Sequence, residues 1–357
     1  MSDAEVICSR RGVAGEIWLN RPKALNALNL SMVRLMTSAL EAWALDPDIE
    51  RVVIRGTGER AFCAGGDIRL LHDQGKAGDF VAQRMFWREE YELNRLIHRY
   101  PKPYVALIDG IVMGGGAGVS IHGSHRIVGD RTMFAMPEVG IGFFPDVGAS
   151  WFLPRLPGET GTYLALTGAR IGAGDAVDLG LAQAYVRSAR FNELAEALTQ
   201  SGETTGILVR FADHAPAPTL PRALIDQAFS GNEIRAIRDD LDGLARIDGE
   251  AGDLARDWQK TLSSRSPTSL CLALRQMREG CQLDIEAVMQ MEYRILSRIV
   301  RGSDFYEGVR AVLIDKDNSP IWNPARLDDI DRAQIDAHFS PLDDDLEFST
   351  INADATV

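Results

Sequence analysis

The sequence predicts an α/β fold whose last third is helical. Three observations carry that expectation. Short β-rich runs alternate with stretches of helical spacing up to about Val186, glycine-rich loops follow the strands, and charged residues interleave with apolar ones at helical spacing from Asn232 onward. An apolar fraction of 45% over 357 residues supports a sizeable core. That length suits one large domain, or a domain of roughly 200 to 250 residues with an extension.

Taken in order, Glu16 to Asn20 reads as a short strand. Ser31 to Leu45 places Met32, Leu35, Met36, Ala39, Leu40 and Trp43 at helical spacing, with Asn29 or Ser31 available as cap. RVVIR, Arg51 to Arg55, is the next strand, and the glycine-rich GTGERAFCAGGD follows it. A helix is expected over Phe80 to His98. PYVALIDG then gives the continuous apolar run typical of buried strands. This alternation implies βαβ units in a doubly wound sheet, with ligands at the strand ends. Ser201 to Pro221 gathers proline, threonine and glycine and reads as a break. The expected organisation is therefore a core over 1–200, a linker or irregular excursion over 201–230, a helical region over 231–340 and a flexible acidic tail over 341–357.

Charge and cysteine usage exclude several classes of function. Lys plus Arg is 38 against 51 for Asp plus Glu, and a net charge of −13 repels a phosphate backbone. Cys8, Cys63, Cys271 and Cys281 lie far apart without CxxC or CxxH spacing, so neither a disulfide framework nor a zinc site is expected, and no metal. The first residues lack an apolar signal core, and no later run approaches the roughly 18 apolar residues of a membrane span. A soluble, cytoplasmic protein without a membrane partner is the expectation.

Two loops are candidates for ligand contact: Ala64-Gly65-Gly66-Asp67, and the run Gly114 to Gly118 interrupted only by Ala117. Loops this poor in side chains let backbone N–H groups approach a ligand, and two converging donors can form an oxyanion hole. The same glycines also suit tight strand-to-helix packing. No GxGxxG, P-loop or GxSxG motif is present. His122 and His125 lack a nearby third ligand and read as core or surface residues. Cys63 lacks a neighbouring histidine and reads as a packing residue.

The stretch FAMPEVGIGFFPDVGAS holds two acids, Glu138 and Asp146, among apolar residues, glycine and proline. A carboxylate in such surroundings acquires a raised pKa and can serve as general acid or base near neutral pH. Pro-Asp-Val-Gly is equally good turn chemistry, and Pro-Glu can open a helix.

Together, AFCAGGDIR, YVALIDGIVMGGGAGVS and FAMPEVGIGFFPDVGASWFLPRL resemble the crotonase (enoyl-CoA hydratase/isomerase) superfamily, and within it the 3-hydroxyisobutyryl-CoA hydrolase branch. NRPKALNAL, FWREEYELN and SDFYEGVRAVLIDKDNSPIWNPA extend the resemblance over most of the chain. It implies a spiral of ββα units followed by a helical region, in place of a doubly wound sheet. It implies an oxyanion hole made by the N–H groups of Gly66 and Gly115, and catalytic roles for Glu138 and Asp146. Glu90 matches a substrate-contacting position, and Arg21, Lys23 and Lys316 are candidates for the CoA phosphates. Hydratases of the family carry a glutamate where this chain has Gly118, which argues against ordinary hydration. The implied activity is hydrolysis of 3-hydroxyisobutyryl-CoA, a step of valine degradation, with 3-hydroxypropionyl-CoA as a second substrate and no cofactor beyond the CoA of the substrate. An enoyl-CoA hydratase or isomerase, and an inactive acyl-CoA-binding relative, are the alternatives. The resemblance allows a homo-oligomer and leaves open whether Glu138 attacks the carbonyl or activates water.

Overall fold

Strands β1 (Val6–Arg11) and β2 (Ala14–Leu19) form an antiparallel hairpin that turns at Gly12, whose φ of +58° suits glycine. A computed structural model describes this and the rest of residues 4–348. The remaining strands are β3 (Arg51–Gly56), β4 (Ala61–Cys63), β5 (Tyr104–Ile108), β6 (Ile111–Met113), β7 (His125–Val128), β8 (Met133–Ala135) and β9 (Ala184–Tyr185). Among the described residues one sheet has the order β1-β2-β3-β5-β7-β9, parallel from β2 onward. A second, parallel sheet has the order β4-β6-β8.

From β3 to β8 each unit thus lays one strand in the large sheet, turns a corner, lays the next in the small sheet, and then forms a helix, whereas β1 and β2 both lie in the large sheet. The corners are tight enough to require glycine. Between β5 and β6, Gly110 has φ +88°, and a Cβ there would lie 2.7 Å from the Arg60 carbonyl oxygen. Helices follow at Ile68–Lys76 and Phe80–His98 after β4, and at Gly115–Ile121 after β6. This is the ββα spiral that the resemblance implies, and it replaces the doubly wound sheet inferred from alternation alone. Alternation shows where strands occur along the chain, but which strands pair is settled by contacts distant in sequence.

The expected local elements form close to their predicted bounds. The helix Leu30–Leu45 is capped by Asn29, whose side chain accepts from the Met32 N–H at 3.0 Å. Phe80–His98 buries Phe86, Trp87, Tyr91, Leu93 and Ile97, and the same stripe carries three polar residues, Gln83, Glu90 and Asn94, the last two one turn apart. Residues 201–230 contain the helices Thr204–Phe211 and Arg222–Phe229, so the irregular part shrinks to the stretch between them and the few residues at either end. The C-terminal region packs as Ile234–Leu244, Glu250–Ser263, Pro267–Gly280 and Ile285–Ile299. Of the acidic tail, residues 341–348 are docked: Leu346 is buried and Asp345 is ion-paired with Arg294 at 2.7 Å. Residues 349–357 lie outside the described part. No helix among the described residues is long and apolar enough to cross a membrane.

Candidate active site

The three strands of the small sheet end side by side, and their C-terminal ends build the site. β4 runs into Ala64-Gly65-Gly66, β6 into Gly114-Gly115, and β8 into Pro137-Glu138. Gly65 (φ +112°) and Gly114 (φ +47°) hold backbone conformations that other residues rarely adopt. The two loops touch. A Cβ added to Gly115 would lie 3.3 Å from the Gly66 nitrogen, and one added to Gly114 would lie 3.6 Å from the Gly65 Cα. The amides of the two predicted loops therefore stand at one place, and side chains larger than hydrogen would fill it.

Three acids surround that place. A Cβ on Gly115 would meet Glu90 Oε1 at 2.4 Å, and one on Gly114 would meet Glu138 Oε1 at 3.0 Å. Asp146, on the loop after the short helix Glu138–Ile141, accepts a hydrogen bond from the Tyr91 hydroxyl at 3.1 Å. Gly66, Gly115, Glu90, Glu138 and Asp146 line one cleft of about 550 Å³. Tyr91 and a fourth acid, Glu292, lie just behind it. Glu90, Glu138, Asp146 and Glu292 are 2%, 7%, 5% and 0% exposed, so each carboxylate would lose most of its hydration.

Burial therefore dominates their protonation. It pushes Glu138 well above the usual carboxylate range, and the neighbouring Asp146 and Glu292 add to the effect. Glu90 is raised well above that range by burial and then by Asp146. Asp146 is raised by burial to about 7, against the opposing Tyr91 hydrogen bond, and Glu292 by burial to about 8. One oxygen each of Glu90 and Glu138, Oε1 and Oε2 respectively, has no hydrogen-bond partner. Like charges this close cannot all ionise, so near neutral pH the cluster holds proton donors and an acceptor together.

A stability prediction follows from the sign of the Asp146 shift. Its folded pKa lies above its unfolded value, so its contribution is complete below the ordinary aspartate pKa and is lost as pH rises to about 7. Asp146→Asn keeps an acceptor for Tyr91 and removes the titration. Its melting temperature should exceed that of the parent by several degrees at pH 8, and the difference should shrink towards pH 4. A difference independent of pH in calorimetry would contradict the assignment.

Gly118 has a spatial reason to be glycine. A Cβ there would lie 2.8 Å and 2.9 Å from the Asn94 amide atoms and 2.9 Å from the Val147 Cβ. Asn94 and Val147 occupy the volume that a glutamate would need. The cations behave differently from expectation. Arg21 is held by Glu5 at 2.9 Å and Asp67 at 3.0 Å, and neither it nor Lys23 nor Lys316 lines the cleft, although Asn318, beside Lys316, does. Arg170 and Arg265 line it instead. Cys63 is fully buried with its thiol pushed up to about 12, as suits a packing residue.

Sequence reasoning missed Tyr91, Asn94, Arg170, Arg265 and Glu292. For Glu292 a signal existed: it shares a helical stripe with Met289, Tyr293 and Leu296, a core position for a charged side chain.

A small parallel sheet ending in two glycine loops, with buried acids around them, is the frame of an acyl-CoA enzyme, and the chain belongs to the enoyl-CoA hydratase/isomerase family, whose profile matches residues 14–339. Among curated relatives, the Xenopus tropicalis protein named "3-hydroxyisobutyryl-CoA hydrolase, mitochondrial" is 46% identical over 96% of this chain and 90% of its own length. The human protein of the same name is 42% identical over 96% and 91%. Two solved structures are similar at the level of the whole fold. A carnitinyl-CoA dehydratase from Mycobacterium thermoresistibile is 39% identical with a TM-score of 0.91, covering 98% of this chain and 100% of that one. An enoyl-CoA hydratase from Rhodobacter sphaeroides 2.4.1 is 40% identical with a TM-score of 0.89, covering 97% and 100%. These names correct one expectation: the hydrolase relatives are named mitochondrial, against the cytoplasmic reading. That reading rested on what the first residues lack, and a folded core carries no address.

Proposed function

We propose that the cleft hydrolyses the thioester of 3-hydroxyisobutyryl-CoA to the hydroxy acid and free CoA, as in valine degradation, with 3-hydroxypropionyl-CoA as a second substrate. The observation that carries this reading is the meeting of Glu90, Glu138 and Asp146 with the Gly66 and Gly115 loops in one cleft, beside a position 118 without a carboxylate. The names of the hydrolase relatives support it.

In this reading the thioester oxygen accepts from the N–H groups of Gly66 and Gly115, which stabilise the oxyanion as the carbonyl carbon becomes tetrahedral. Glu138, whose carboxyl lies against Gly114, either attacks that carbon to form an anhydride or takes a proton from the attacking water. In the first route water then cleaves the anhydride, freeing the hydroxy acid and regenerating Glu138; in both routes the C–S bond breaks, the CoA thiolate takes up the proton that the water gives up, and water is the only co-reactant. Asp146, held by Tyr91, orients the water or the substrate hydroxyl and carries protons. Glu90, protonated in its buried position, donates to the substrate. Arg170 and Arg265 at the cleft, with Lys316 beside it, supply charge for the CoA phosphates.

Hydration of an enoyl-CoA is the second reading, favoured by the name of the Rhodobacter sphaeroides 2.4.1 enoyl-CoA hydratase and, as the reverse reaction, by that of the Mycobacterium thermoresistibile dehydratase. The first experiment follows free thiol from 3-hydroxyisobutyryl-CoA, with crotonyl-CoA in parallel for loss of its conjugated double bond. Thiol release from the hydroxyacyl ester, with crotonyl-CoA unchanged, is the expected result. Hydration without thiol release would overturn the proposal in favour of the second reading.

A further inference from the structure

The loop that carries Asp146 into the cleft is held from behind by three buried side chains that the reaction itself does not use. Val147, next to Asp146, has φ +55°, a left-handed conformation that a β-branched residue adopts only under constraint from its surroundings. Gly148 follows with φ +82°. The carboxyl of Glu292, on the helix Ile285–Ile299, accepts from the Gly148 N–H at 2.7 Å with Oε2 and from the Ser150 N–H at 2.9 Å with Oε1. His122 meets the Val147 carbonyl oxygen at 2.7 Å through Nε2. A carbonyl only accepts, so His122 is the Nε2–H tautomer, and burial, which lowers its pKa to about 3, keeps it neutral. Gln276, on the helix Pro267–Gly280, donates to the Pro145 carbonyl oxygen and to Ser150 Oγ. Both sides of Asp146 are thus fixed to two helices of the C-terminal region and to the end of the helix after β6.

We propose that Glu292 is a positioning residue for Asp146: by binding the amides on the far side of Val147 it locks the left-handed turn that aims the Asp146 carboxyl at the cleft, with His122 and Gln276 completing the clamp. This rests on the hydrolase reading above, in which Asp146 acts on water or on the substrate hydroxyl. When ionised, the Glu292 carboxylate suits the task because both oxygens accept, so it satisfies two amides that would otherwise be buried without partners, and those two bonds in turn oppose the burial that raises its pKa. Glutamine at the same place offers one acceptor and turns a donor towards the other amide. The helical region therefore acts on the site by fixing the loop, at a residue that touches no substrate.

The test is a double-mutant cycle on thiol release, with Glu292→Gln, Asp146→Asn and both together in the full chain. Glu292→Gln is expected to lower kcat about tenfold and to leave KM within about twofold, since the residues proposed for CoA stay in place. In the Asp146→Asn background the same change is expected to cost less than about twofold, because the group it positions is already disabled. Tenfold losses in both backgrounds would overturn the proposal. That pattern would also appear if Glu292 acted through its field on Glu138, or only by supporting the fold. If Glu292→Gln does not fold, His122→Phe, which keeps an aromatic ring and removes only the bond to Val147, takes its place in the cycle with the same two criteria. Asp146→Asn with parental turnover would instead defeat the functional reading, and this proposal with it, so the two failures are distinguishable.

Discussion

Glu138→Gln is expected to lower kcat for thiol release by at least about 10³-fold while acyl-CoA binding persists. The amide is nearly isosteric with the carboxyl, so the cleft keeps its shape, but it neither attacks a carbonyl nor accepts a proton from water. The same substitution should raise the melting temperature. Glu138 is buried, Oε2 has no partner, and its folded pKa stands well above the ordinary glutamate value. Such a group contributes stability that is complete below its unfolded pKa and lost as pH rises through the folded one, so the gain should appear above about pH 5 and grow with pH. Single-turnover kinetics, equilibrium binding of the acyl-CoA and calorimetry together check this. Parental turnover in the variant would remove Glu138 from the reaction.

Gly118→Glu is expected to destabilise the protein strongly, and not to convert it into a hydratase. The new Cβ alone would stand 2.8 Å from one Asn94 amide atom, and the helix Gly115–Ile121 around it is buried throughout. Overpacking of this kind costs on the order of 1–3 kcal/mol, and an unpaired carboxylate in the same volume adds several more. The variant should melt at least about 10 °C lower or fail to accumulate as soluble protein. Asn94→Gly in the same chain opens the space and should restore part of the loss. A Gly118→Glu protein as stable as the parent would show that Asn94 and Val147 do not fill the position. What distinguishes this chain from a two-glutamate hydratase is then a change in packing as well as the loss of one acid.

Much of the site was legible because its components are local. The glycine loops, Glu138 and Asp146 each lie within a short stretch whose residue types already suggest close backbone approach or a poorly solvated acid. Glu90 came only from the resemblance, since on its own it is a charged residue in a helix rich in charge. Arg21 illustrates the converse. In sequence it is an available cation near a loop, and in the structure its guanidinium is taken up by Glu5, Asp67 and the Ala27 carbonyl. Availability depends on partners distant in sequence.

The sequence by itself determined the helices Leu30–Leu45 and Phe80–His98, the helical character of the last third, the strands β2, β3 and β5, the two glycine loops and the presence of acids without neighbouring bases, because periodicity, capping and turn chemistry act over a few residues. The division of the strands into two sheets, the meeting of β4, β6 and β8 ends, and the Asn94 barrier at Gly118 were decided only by tertiary structure. So was the clamp of Glu292, His122 and Gln276 behind Asp146. Each of these is a contact between segments far apart in the chain, and burial, which sets the protonation of all four acids, exists only once those segments have packed.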